Sequence, residues 1–255
     1  MTLKFLQLNI FKGKYLNVLL NFLKKEKFDI LNLQEVAGGE LSLAGKDCFA
    51  EIKSTLNLKG IFSFDVNKIG DPTTYFANAI FFQKQFSVIK QEVIRLNQKK
   101  INFSSMENIP WFNNISRHLI YLTLKTNNHV ISIVNTHLTR GDDSQDDLQK
   151  LTEGQILVDC IKNIKEPYVL SGDFNVNPRS NIIKEISKIS RNLLVENNIK
   201  NTLNFRTHPG RKIIPPPGIA CDYIFAEKSL QIKKFKLIDH PALSDHFGLA
   251  VEIEI

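Results

Sequence analysis

The first 33 residues limit the fold more sharply than any other stretch of the chain. Leu3-Lys4-Phe5-Leu6-Gln7-Leu8 reads as a strand, and Leu16, Leu19, Leu20 and Leu23 then recur at helical spacing. After a break near Lys27, Phe28-Asp29-Ile30-Leu31-Asn32-Leu33 reads as a second strand. Strand, helix and strand in so short a span predict a parallel crossover pair, whose C-terminal ends point the same way.

The alternation continues along the chain. Ala79-Ile80-Phe81-Phe82 and Phe86-Ser87-Val88-Ile89 are expected as neighbouring strands, and Leu119 to Leu124 is expected to pair with Val130 to Val134 through Thr126-Asn127-Asn128-His129. A helix is expected after the acidic run Asp142, Asp143, Asp146, Asp147, ending near Asn163. Ser144 and Asp147 would form its capping box, with Leu151, Val158, Ile161 and Ile164 on the buried side. Helix N-termini favour carboxylates, which accounts for the acidic run without a metal. Strands at Tyr168 to Leu170, Cys221 to Ala226 and Gly248 to Ile253, with a helix over Ile182 to Ile189, complete the pattern. The expected class is mixed α/β: two packed sheets with helices outside.

At 255 residues and 43% hydrophobic content the chain can bury a sizeable core. No linker interrupts it, and Ile214-Pro215-Pro216-Pro217-Gly218 reads as a rigid surface loop, so residues 1–255 are expected to form one domain. Met1 leads directly into the first strand without a signal sequence, and nothing approaches a membrane span. Cys48, Cys160 and Cys221 are odd in number and far apart, which points to reduced thiols in a cytoplasm. No heptads or other assembly signals appear, and a monomer is expected. The net charge of +7 suits a polyanionic partner only if it clusters, with Lys24-Lys25, Lys99-Lys100 and Lys233-Lys234 as candidate groups.

Polar residues of a catalytic type close or open many of these runs. Asn9 follows the first strand, Glu35 the second, His137 the Val130 strand, and Asp173 with Asn175 the Tyr168 strand. Asp222 opens the Tyr223-Ile224-Phe225 strand, and Asp245-His246 precedes the last. Singly, each is explained by a turn, an exposed carboxylate or a structural histidine; together they are a constellation. Clustered carboxylates repel and lose hydration, so they persist only with a compensating cation or base. Glu35, Asp245 and the Asn9 amide are oxygen donors suited to a hard cation, magnesium first and manganese as substitute. The histidines lack zinc-motif spacing and accompanying cysteines.

Leu8-Asn9-Ile10, Leu33-Gln34-Glu35-Val36, Asn135-Thr136-His137-Leu138, Ser171-Gly172-Asp173-Phe174-Asn175, Asp222-Tyr223-Ile224-Phe225 and Ser244-Asp245-His246-Phe247-Gly248 are similar to the ordered motif set of the endonuclease/exonuclease/phosphatase superfamily, the DNase I-like fold. The resemblance implies a four-layer sandwich of two mixed β-sheets flanked by helices, and water-driven, divalent-metal-dependent hydrolysis of a phosphoester. It implies Glu35 as principal metal ligand with Asn9 and Asp245, and Asp173 as the group that activates water. Asn175 would hold phosphate or water, His246 and His137 would contact the phosphate from two sides, and Asp222 would fix the His246 ring. Arg117 and Asn78 resemble positions that face the cleft and bind substrate.

The substrate is less constrained. Abasic-site endonucleases of the superfamily usually lack the Thr136-His137 pair, and inositol polyphosphate phosphatases usually have Asp-Arg where this chain has Asp222-Tyr223. Basic charge, with Trp111 in Ile109-Pro110-Trp111-Phe112 as a stacking surface, favours nucleic acid. A lipid or small-molecule phosphoester is the second reading, and a non-catalytic binding protein of the same fold the third.

Overall fold

The computed structural model describes residues 1–97, 102–103, 115–141, 143–212, 214 and 218–255. Trp111, the Lys99-Lys100 pair, Asp142 and Pro215 to Pro217 lie outside the described residues.

The opening unit folds as its periodicity demands. β1 (Thr2–Asn9) leads to α1 (Leu16–Glu26), which buries Leu16, Leu19, Leu20 and Leu23, and then to β2 (Ile30–Gly38). β1 and β2 pair in parallel, Phe5 opposite Ile30 and Asn9 opposite Gln34. Alternation along β1 sends Leu6 and Leu8 towards α1 and α2 (Cys48–Thr55), and Leu3 and Phe5 into the core on the opposite face.

β3 (Lys59–Lys68) and β4 (Asp71–Phe82) join this sheet, whose seven strands run β12-β13-β1-β2-β4-β3-β6. Its remaining members are the short β6 (Asn102–Phe103), β12 (Gln231–Ile238) and β13 (Gly248–Glu254). The second sheet runs β10-β11-β9-β8-β7-β5. It is built from β5 (Ser87–Arg95), β7 (His118–Thr126), β8 (His129–His137), β9 (Tyr168–Asp173), β10 (Arg191–Asn192) and β11 (Asp222–Ala226). α3 (Leu148–Lys162) and α4 (Asn181–Ile189) cover it, and the short α5 (Leu193–Glu196) follows β10. The result is a four-layer sandwich of two mixed sheets between helices.

Two expectations are corrected. Ala79–Phe82 and the Phe86 segment are not neighbours: β4 is flanked by β2 and β3, and the chain crosses after Phe82 to make β5 the edge of the other sheet. Among the described residues it pairs with β7 alone, and Val88, Ile89 and Val93 are exposed. In α3, Asp147 alone caps the helix, accepting from the Lys150 N–H at 2.8 Å, and Ser144 lies in the loop before it. This start point turns Leu151 outward and buries Lys150, Glu153, Gly154, Leu157, Val158 and Ile161. The inward stripe holds two charges that an apolar-only reading passes over. Asp146 caps the next helix instead, its Oδ2 accepting from the Asn181 N–H at 2.8 Å.

The sheets meet through more than hydrocarbon. Gln7 Nε2 donates to Gln34 Oε1 at 2.9 Å and to Asp222 Oδ1 at 3.0 Å. Gln34 Nε2 reaches Asn135 Oδ1 at 2.7 Å, and Asn32 Nδ2 reaches Ser171 Oγ at 2.9 Å. These buried amides sit towards one end of the interface and fix the two sheets in register.

Candidate active site

Topology explains why distant residues meet. β1 and β2 are parallel, and so are β8 and β9; Asn9, His137 and Asp173 end β1, β8 and β9 at one edge of the sandwich, and Glu35 lies within β2 beside them. β11 and β13 run antiparallel to β9 and β1, so their N-terminal ends, with Asp222 and His246, return to the same edge. Asp222 is the register partner of Asp173. Gly172 is required there, because a Cβ would lie 2.0 Å from the Thr136 carbonyl oxygen on the neighbouring strand.

Glu35 reaches the edge by a local distortion. Strict alternation after Asn32 and Gln34 would turn it towards the helices. Instead the β2–β4 register shifts between Leu33 and Val36, and Glu35 adopts φ 55°. Such a bulge re-aims a side chain, and a positive φ away from glycine is a cost retained where the surroundings hold it. Asn175 likewise has φ 52°, in a turn whose N–H donates to Asp173 Oδ1 at 3.0 Å, while its Nδ2 donates to the Leu138 carbonyl at 2.9 Å.

A cavity of about 560 Å³ opens over this edge, with Glu35, Arg117, His137, Asp173, Asn175, Asp245 and His246 on its walls. Asp173 Oδ2 lies 3.6 Å from His137 Nε2 and 3.8 Å from His246 Nε2, and accepts from Asn9 Nδ2 at 3.1 Å. His246 Nδ1 is 2.8 Å from Asp222 Oδ2, so Asp222 stands behind the ring without lining the cavity.

The charges are tuned by burial and by one another. Burial, then the Asp222 charge, lifts the Asp173 carboxyl to about 6 against the opposing pull of His246. Burial lifts Asp245 to about 6 as well, and Glu35 adds to the rise. Glu35 itself is raised by burial, only partly offset by His246 and by a bond from Asn9. His246 moves the other way from what burial alone would give: Asp222 and Asp173 outweigh desolvation and hold it protonated well above the usual histidine range. His137 is pushed well below that range by burial, then by Arg117 and His246, and is neutral. Its Nδ1 is buried without a hydrogen-bond partner among the described residues.

Of the residues expected to face the cleft, Arg117 lines the cavity and Asn78 does not. Asn9 turns its amide nitrogen to Asp173 and its oxygen to the Phe11 N–H at 3.0 Å, so it braces the Asp173 carboxylate. Asn78 is buried within β4 opposite the β2 bulge, and does not line the cavity. Arg117 lines the cavity and is fully buried, its Nη1 donating to Asp65 Oδ2 at 3.1 Å while Nε and Nη2 have no partner among the described residues. The candidate lysine pairs at Lys24 and Lys233 are absent from the walls; Lys233 pairs with Glu254 at 2.5 Å. The basic wall residues are Lys12, Arg117 and Arg140, with His208 beside them. Arg140 and His208 lie on loops and Lys12 in a three-residue 3-10 turn, positions that no apolar periodicity flags.

The family model described as Endonuclease/Exonuclease/phosphatase family matches residues 6–246, from within β1 to the histidine before β13. The chain belongs to the Endonuclease/Exonuclease/phosphatase family. Solved structures share the fold. An endonuclease/exonuclease/phosphatase from Bacteroides vulgatus superposes with TM-score 0.76 at 18% identity, covering 100% of this chain and 99% of its own. The mannosyl-6-phosphatase of Bacteroides thetaiotaomicron gives TM-score 0.73 at 17% identity over 99% of this chain and 100% of that one. TDP2 of D. rerio, complexed with single-strand DNA product, gives TM-score 0.69 at 13% identity over 100% and 99%. A comparison with curated protein sequences returns no match. Family members are phosphoric ester hydrolases, and among the described residues no helix is long and apolar enough to cross a membrane.

Proposed function

We propose that the chain hydrolyses a phosphoester with water, with Asp173 as general base and a divalent cation, magnesium first and manganese as substitute, at Glu35 and Asp245. The observation that carries this reading is Asp173 Oδ2 set 3.6 Å and 3.8 Å from two histidine Nε2 atoms, facing an open cavity. A carboxyl lifted to about 6 is ionised at neutral pH yet still basic enough to take a proton from water. The water oxygen forms the new bond to phosphorus, the bond to the leaving oxygen breaks, and that oxygen takes up a proton. His246, held cationic by Asp222, donates to a phosphoryl oxygen; neutral His137 approaches from the other side. Asn175, fixed by its turn, orients the water or the phosphate.

The residues fit a hard cation. Glu35 Oε2 has no partner among the described residues, burial and then Asp173 raise Glu35, and burial and then Glu35 raise Asp245, a cost of several kcal/mol per unpaired buried charge that a cation removes. When bound, the ion supplies positive charge against that growing on the phosphoryl oxygens.

Nucleic acid is the favoured substrate. The net charge of +7 is joined at the cavity by Lys12, Arg117 and Arg140, and Phe11, Leu43, Ile214 and Ile219 offer an apolar wall that a base can cover. A small phosphoester is the second reading, since the same cavity holds a single phosphoryl group with its bonded sugar or alcohol. The test is a panel of plasmid DNA, single strands, RNA, a 5′-phosphotyrosyl oligonucleotide, a lipid phosphodiester and sugar or inositol phosphates. Each is assayed with magnesium, with EDTA and with Glu35→Ala. Hydrolysis that persists in EDTA contradicts the metal assignment.

A further inference from the structure

His208 belongs to none of the motifs that mark this chain, yet it is 8% exposed and lines the cavity beside His246, their ring centroids 5.9 Å apart. One ring nitrogen of His208, one of His246 and a carboxylate oxygen of Asp245 lie within 4.8 Å of one another. Such a triad admits two chemistries: nitrogen lone pairs for a cation, or N–H groups for an anion.

The backbone decides between them. The Gly210 N–H donates to His208 Nδ1 at 3.0 Å, which requires the lone pair on Nδ1. The proton of the neutral ring therefore sits on Nε2, and Nε2 has no lone pair to give a metal. The ring is also held in place. Leu203 bridges His246, the Asn204 N–H donates to the Asp245 carbonyl at 2.8 Å, and Thr207 Oγ1 donates to the Ser244 carbonyl at 2.8 Å. The segment that ends at His208 is thus stitched to the strand-end that carries Asp245 and His246, and the distance between the two rings is set by main chain. Arg140, on the same cavity wall set, disfavours a positive charge on both His208 and His137.

We propose that His208 is a substrate-contacting residue whose Nε2–H donates to a non-bridging oxygen of the bound phosphoryl group, next to the oxygen served by His246. This rests on the reading of the cavity as a phosphoester site. Neutral His208 adds a donor without adding charge beside the His246 cation, so the two rings can share one anion without repelling each other.

Inorganic phosphate is the probe. In the magnesium-loaded protein, long-range nitrogen–proton spectra should show His208 protonated at Nε2 and that signal moving as phosphate is added. His208→Ala should weaken phosphate about ten- to hundredfold, the loss of one hydrogen bond to an anion. His208→Gln, whose amide nitrogen falls near Nε2, should recover most of it, with thermal melts confirming that both variants fold. A proton on Nδ1, a His208 signal that moves with zinc but not phosphate, or unchanged phosphate affinity in folded His208→Ala would overturn the proposal. If the substrate panel shows no turnover while phosphate still depends on His208, the contact stands and the hydrolase reading falls.

Discussion

His246 Nδ1 lies 2.8 Å from Asp222 Oδ2, and this pairing sets the charge of the cavity, because it keeps one of the two imidazoles flanking Asp173 protonated while the other is neutral. Asp222 is itself anchored to the opposite sheet through Gln7 Nε2 at 3.0 Å. Sheet packing and protonation state are therefore linked through one carboxylate.

Asp222→Asn tests that link. His246 is raised in the fold, so its positive charge is present below its folded pKa and lost as pH rises through it. Without the Asp222 charge, the alkaline limb of kcat/KM should move to lower pH. The rate at neutral pH should fall by about 10²- to 10⁴-fold, the span of a positioned acid–base or donor group. An unchanged pH profile would remove Asp222 from the mechanism.

The buried carboxylates should trade stability for metal binding. Glu35→Gln removes a desolvated charge whose Oε2 has no partner among the described residues, so its thermal midpoint in EDTA should equal or exceed that of the wild type. Magnesium should then stabilise the wild type and leave the variant unmoved. A variant that melts lower in EDTA and still responds to magnesium would place the cation elsewhere.

Cation affinity should also fall with acid. Asp245, lifted to about 6, must lose its proton before it can ligate, so affinity is full above that value and declines below it. One such carboxyl weakens binding about tenfold between about pH 7.5 and about pH 5. Calorimetric titration with manganese across this range measures it, and a flat dependence would exclude Asp245 as a ligand.

Much of the fold was legible because it rests on periodicity. The β1–α1–β2 unit and the β7–β8 hairpin, with Thr126 opposite His129, follow from apolar spacing and a turn signal. β3 and β12 are harder to read: β3 is half-buried along much of its length and β12 has half of its residues exposed, and charged or polar residues interrupt the apolar run in each. The sheet crossover after Phe82 is equally silent, since adjacent strands in sequence usually pair and nothing local marks the exception. At the site, strand-end position revealed Glu35, His137, Asp173, Asn175, Asp222, Asp245 and His246, but not which of them line the cavity. Asn9 and Asn78 depend on amide direction and on a bulge, both set by tertiary packing. His208 and Arg140 sit on loops and Lys12 in a three-residue 3-10 turn, where apolar spacing carries no information.

Arg117 and Asp65 give a stability prediction independent of activity. Both side chains are wholly buried and 3.1 Å apart, and burial pushes the Asp65 carboxyl up in spite of Arg117 and His118. Asp65→Ala strands the guanidinium without a counter-charge and should cost about 3–5 kcal/mol in urea unfolding. A loss below about 1 kcal/mol would mean that Arg117 finds solvent or another partner.

The central claim is that Asp173 activates water in a phosphoester hydrolase, and Asp173→Asn tests it with the least change of shape. The measurement is turnover of the best substrate from the panel under saturating magnesium, alongside cation affinity and the thermal midpoint. The account predicts a fall of about 10²- to 10⁴-fold in kcat with fold and cation affinity retained. Turnover close to wild type in the folded, magnesium-bound variant would contradict it.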